Sequence, residues 1–262
     1  MTDSYTAEQI QAKWHEVADI LDILATRVGN SADEWPIEPR SSLAGDDLKS
    51  SPYRVSHAVI SCLTTGVLHL HAIKTLVIDA EKLHTGVPWT LARAAIENLA
   101  VGYWMLQPAS RAERITRVLQ WHRQNFVDLD KATQGIRQIP KTTSLEEKIN
   151  KLYAVGEPNG IDAKTINKGY QSTPVVKYFD EHLTPGENHV LFLWQAGSGA
   201  AHGRPWFSLG INEREIVDAG EEGVVLVKLS ETLDRVLLPT LSGVHMVEDL
   251  LRLLDQRRRA MI

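Results

Sequence analysis

Ile10, Trp14, Val17, Leu21, Leu24 and Val28 recur at steps of four and three, with Ile20 and Ile23 widening the stripe. Glu, Asp, Lys and Gln hold the opposite side. That period is helical, and such a stripe needs a second helix to cover it. Thr6 and Gln9 have capping-box spacing ahead of it, and Gly29-Asn30 supplies a stop. Residues 1–30 therefore read as an N-terminal packing helix. Its near-heptad spacing suits a helix of this chain or of a second copy equally, so a homodimer through this face is one expectation.

The pattern then stops. Residues 31–52 carry Pro, Ser, Gly and acids without periodicity and read as a long loop. From 53 to 262 the helical period returns as one bundle domain. A segment over 53–84 is apolar on nearly every side, with Val59, Ile60, Leu63, Val67, Leu70, Ile73, Leu76 and Val77, which places it centrally. Gly86-Val87-Pro88 separates it from a second apolar helix ending near Leu106, and a more polar helix follows over 110–137. Residues 138–185 are broken into short helices by Gly156, Pro158, Asn159 and Gly160, and a further helix covers 186–201.

One stretch has a strand character. Trp206–Ile211 and Val224–Leu229 flank a turn-forming Ala219-Gly-Glu-Glu-Gly223, which predicts a β-hairpin within 206–229. A last helix runs from Ser230 to Arg257, with a kink expected at Pro239. The expected fold is mainly α, a helical bundle with a small β-hairpin inserted before the last helix.

Composition narrows the function classes. The net charge of −5 argues against non-specific binding to nucleic acid, which needs Lys and Arg to displace counterions. The single cysteine, Cys62, sits in an apolar run and reads as a buried thiol, so no intrachain disulfide forms. The N-terminus lacks the layout of a signal peptide, and His57, His69, His71, Lys74 and Asp79 interrupt the longest apolar run. The expectation is a cytoplasmic protein with no membrane partner.

Metal chemistry finds little support among the ten His residues. A carboxylate-bridged di-iron bundle needs two Glu-x-x-His motifs, and only Glu81-x-x-His84 matches. His69 and His71, two apart, point about 200° away from each other on a helix. No metal and no cofactor are expected.

Two polar pairs stand out at helical spacing. Arg93 and Glu97 are four apart in a run otherwise apolar or small, so they share a face and are expected to be buried and paired. They either fix helix packing or, with Tyr103, line a polar cavity. Ser198 and His202 are also four apart, ahead of Gly203-Arg204-Pro205, and the small residues between them permit close backbone approach. As nucleophile and base they would need an orienting group and an oxyanion hole. The glycines beside Ser198 are adjacent to it, unlike the hydrolase elbow, where they stand two residues away. Arg93, Glu97, Tyr103, Ser198, His202 and Arg204 are the candidate ligand-binding residues, for a small molecule or a protein.

The Arg93-x3-Glu97 helix, and the Ser198-x3-His202-Gly helix end followed by a hairpin and a terminal helix, resemble a group of uncharacterised bacterial helical proteins. Some of these are similar in architecture to the HEPN superfamily of helical RNases and nucleotide-binding domains. The resemblance covers residues 54–250. It implies an alternative function: metal-independent RNA cleavage in stress or phage defence, with nucleic acid as partner. Arg117-Val-Leu-Gln-Trp-His122 matches the Arg-x4-6-His pattern, making Arg117 and His122 the catalytic candidates under that alternative. Val118 departs from the polar residue that usually follows the Arg. The bundle reading without catalysis remains the first.

Overall fold

A computed structural model describes residues 6–30, 34–136, 143–182, 189–217 and 221–260. Among them are eleven α-helices and one antiparallel pair of strands ahead of the last helix. The architecture is the expected helical bundle with an inserted hairpin.

Helix α1, Ala7–Gly29, begins at the Thr6–Gln9 capping box. Its stripe of Trp14, Val17, Leu21, Leu24 and Val28 is buried within this chain, against α3 (Val55–Lys74) and α11 (Leu233–Arg258). The Trp14 indole N–H donates to the Leu233 carbonyl at 3.0 Å. The seam is thus filled from inside, and a homodimer would have to use another surface. Ile20 and Ile23 of the same helix stay exposed.

Helix α4, Val87–Leu106, is the hub, packing against α3, α8 (Ser172–Glu181), α9 (Val190–Ala201) and α11. By length and hydropathy, Val55–Asp79 would pass for a membrane-crossing helix. Its Val59, Leu63, Val67, Leu70 and Ile73 are instead fully buried in the protein core. The regular helix gives way to a π-helical turn at Thr75–Asp79. Cys62 lies in this core, and burial pushes its thiol up to about 12, which keeps it protonated and unreactive.

Two local expectations are corrected. Within 31–52, read as a loop, Ser42–Ser50 forms helix α2, capped by Ser41. Its sequence carries Gly45, Asp46 and Asp47 and has little helical period of its own. Tertiary contacts hold it: Leu43 is buried, and Asp46 is wholly enclosed against Arg114 of α5, Arg111–Thr133. The second correction concerns the hairpin. Trp206–Ile211, expected as its first strand, lies largely in a short helix, α10, Pro205–Gly210. Pro205 occupies the first turn, where it favours a helix, and Phe207 is buried edge-on against Trp89. The strands are β1, Glu213–Val217, and β2, Leu226–Ser230, paired with Glu215 opposite Lys228. The expected turn at 219–223 falls partly outside the described residues, as do the expected helix end at 137 and helix start at 186.

The remaining helices, α6 (Leu145–Gly156) and α7 (Ala163–Asn167), lie alongside α5. Helix α11 passes through Pro239 without interruption. Arg257 near its end donates to the Gln107 and Pro108 carbonyls at 3.1 Å, tying it to the turn between α4 and α5.

Candidate functional site

Close approach of α9 to α4 sets up the candidate site. A side chain at Gly197 would come within 2.5 Å of the Trp89 carbonyl and of the Arg93 side chain, so only glycine fits. Gly199 plays the same part on the next face, because the Trp206 indole lies 2.7 Å from where its Cβ would be. The run Gly197-Ser-Gly199 therefore lets one helix backbone touch α4 while an aromatic ring settles on its other side.

This approach places Trp194 of α9 beside the Arg93–Glu97 pair. Arg93 Nη2 lies 3.3 Å from Glu97 Oε2, and its guanidinium stands 5.2 Å from the Trp194 ring centre. The Trp194 Nε1–H donates to Glu97 Oε2 at 3.0 Å, and the Ser172 hydroxyl donates to Oε1 at 2.5 Å. The pair is paired as expected but only partly buried, with 28% and 21% of its side chains exposed. Full burial, expected from the apolar neighbours, is not reached. Two hydrogen-bond donors and the Arg93 ion pair on one carboxylate make Glu97 a clamp that joins α4, α8 and α9. We expect Glu97→Ala to cost about 2 kcal/mol, less than a fully buried pair would, through lost hydrogen bonds to Trp194 and Ser172. A thermal midpoint equal to that of the wild type would contradict this role.

Trp194, Ser198 and His202 are spaced four apart and form one stripe along α9 and its C-cap. They line a groove of about 430 Å³, together with Phe192, Gln195, Gly199, Arg204 and Trp206. Ser198, His202 and Arg204 are thus brought together, with Arg93 and Glu97 behind Trp194. Phe192 and Trp206 are 47% and 50% exposed, large for aromatic side chains. No Asp or Glu lines the groove. Among the described residues Arg204 has no ion-pair or hydrogen-bond partner for its guanidinium. The carbonyls of Ser198, Gly199 and Ala200, which would present negative charge there, accept from the backbone amides of His202, Arg204 and Gly203. Ser198 and His202 have no third group with which to form a nucleophilic triad among the groove residues.

Tyr103 does not join them. It packs edge-on against Phe179, and burial together with Asp249 raises its phenol above the ordinary value. It shares no partner with Arg93 or Glu97.

Arg117 and His122 sit in different surroundings. Arg117 lies against the Trp104 and Tyr178 rings, 5.1 and 4.6 Å from their centres. It donates to the Trp104 carbonyl and to Glu113, which engages both ends of its guanidinium. His122 stacks among Tyr53, Trp121 and Phe126, with ring centres 4.9 to 6.2 Å away. That burial holds its imidazole down to about 4. The two side chains have no partner in common. Five residues along an α-helix turn through about 140°, which directs the two side chains to different sides of α5.

Sequence reasoning missed Phe192 and did not connect Trp194 to Glu97. The two half-exposed aromatics only become a pair of walls when α10 folds back over Gly199. Among the described residues, no grouping of three or more His, Cys, Asp or Glu could hold a metal ion. No family model, no curated protein and no solved structure matches the chain.

Proposed function

We propose that this chain is a helical ligand-binding protein whose ligand occupies the groove between α9 and α10. The observation that carries this reading is the combination of half-exposed Phe192 and Trp206 with the unpaired Arg204 at a concave site. The groove is shallow and open to water, and a few polar groups set among aromatic walls are the usual make-up of a small-molecule site. A binding role needs no further catalytic group from Ser198 and His202. They serve as a hydrogen-bonding edge, and the Arg93–Glu97 clamp holds Trp194 as the back wall.

Metal-independent RNA cleavage would require Arg117 and His122 to meet at one open cleft, and their separate surroundings weigh against it: Arg117 is held by Glu113 and the Trp104 carbonyl, His122 packs among aromatic rings. Purified protein incubated with single-stranded RNA, without added metal, is expected to yield no cleavage. The positive test is a thermal-shift screen of a small-molecule collection against wild type and Ser198→Trp, whose indole fills the groove. At least one compound is expected to raise the wild-type midpoint and leave the variant unmoved. Stabilisation that survives in Ser198→Trp, or no stabilising compound at all, would overturn the reading.

A further inference from the structure

We infer that the groove takes a flat aromatic anion, a ring system carrying a phosphate or carboxylate; this rests on the ligand-binding reading above. The ring is called for by the walls. Phe192 and Trp206 keep about half of their surface in water, and Trp206 is fixed in place by its seat on Gly199. A held indole offers a π-face for stacking at little ordering cost. Burying these rings against a flat partner removes apolar area that the fold itself leaves uncovered.

The anion is called for by charge. The chain as a whole is acidic, at −5, yet the groove contains Arg204 and His202 and no carboxylate. Arg204 makes no ion pair among the described residues, as is also true of Arg40, Arg54, Arg123, Arg214 and Arg257, but of these it alone lines the groove. A planar guanidinium left free at the mouth of an aromatic groove suits bidentate capture of an oxyanion. The Ser198 hydroxyl and Gln195 amide add donors on the same side. Of the helix-end carbonyls that would repel an anion, those of Ser198, Gly199 and Ala200 already accept from the amides of 202–204.

Calorimetric titration of the full chain with four probes tests this: adenosine monophosphate, 2-naphthoate, adenosine and inorganic phosphate. At least one of the two aromatic anions is expected to bind saturably, about tenfold or more tighter than adenosine or phosphate alone. The tighter of the two identifies phosphate or carboxylate as the natural head group. Arg204→Gln should weaken the aromatic anion about tenfold, and Trp206→Ala should weaken it by a similar factor. Both side chains are exposed, so a thermal midpoint near that of the wild type certifies each variant. The inference is overturned if neither aromatic anion binds, or if binding survives both substitutions. It also fails if adenosine or phosphate alone binds as well. A different class of compound stabilising the wild type but not Ser198→Trp would overturn this inference alone. Failure of every compound in that screen would remove the ligand-binding reading with it.

Discussion

Asp46→Ala is expected to destabilise the fold by about 3–5 kcal/mol, because it strands a buried guanidinium. Asp46 is fully enclosed and Arg114 is 1% exposed. Arg114 Nε and Nη2 donate to the two carboxylate oxygens at 2.6 and 2.8 Å. Its remaining N–H groups reach Ser42 Oγ and the Pro108 and Ala109 carbonyls, so all five of its donors are used. Arg111 adds a second cation at 3.0 Å from the rim. The network is what makes α2 a helix and fastens it to α5. In a chain of this size the loss should lower the thermal midpoint by roughly 10 °C. Replacing both partners by apolar residues, Asp46→Leu with Arg114→Met, should recover much of it, since the cost lies in the unpaired charge. A urea midpoint for Asp46→Ala within error of wild type would mean that the pair is dispensable.

The second large effect is one of pH. Burial among Tyr53, Trp121 and Phe126 lowers His122 from 6.5 to about 4. The folded state therefore binds this proton less readily than the unfolded chain. The stability linked to His122 is fully present above about pH 6.5 and is lost as pH falls toward 4. Between pH 7 and pH 5 the loss is about 2 kcal/mol. His122→Phe keeps an aromatic ring in the cluster and has no proton to gain, so its stability should change less over the same interval. Urea unfolding of both proteins at the two pH values checks this. Equal losses in wild type and variant would place the acid sensitivity elsewhere. The same burial keeps His122 neutral near pH 7.

The fold was legible wherever one helix carried its own signal. The stripe from Trp14 to Val28 and the all-round apolar run from Val59 to Ile73 each declare a helix and a buried face. Helix α2 could not be read this way. Asp46 looks like a loop residue until Arg114, 68 positions later, is placed beside it. The hairpin was misplaced because Trp206-Phe-Ser-Leu has a strand's composition, while Pro205 and the packing of Phe207 on Trp89 decide for a helix.

The site was half legible. Spacing of four residues put Arg93 with Glu97 and Ser198 in line with His202, and both relations hold in space. That the two pairs adjoin depends on Gly197 and Trp194, a tertiary contact that no local pattern carries. Tyr103 is close to Glu97 in sequence yet faces Phe179 and Asp249. Arg117 and His122 lie five apart on α5 and meet different ring clusters, Trp104 with Tyr178 and Tyr53 with Phe126.

The seven tryptophans allow the central claim, a ligand site in the α9–α10 groove, to be tested in one spectrum. Trp206 and Trp194 belong to the groove, Trp104 touches Arg117, Trp121 touches His122, and Trp14 lies on the buried face of α1. Indole N–H resonances of the ¹⁵N-labelled protein would be followed during titration with the most stabilising compound of the screen, and separately with single-stranded RNA. The compound is expected to move the Trp206 and Trp194 signals and to leave Trp104, Trp121 and Trp14 in place, and RNA is expected to move none of them. Shifts centred on Trp104 and Trp121, with Trp206 and Trp194 unmoved, would contradict it.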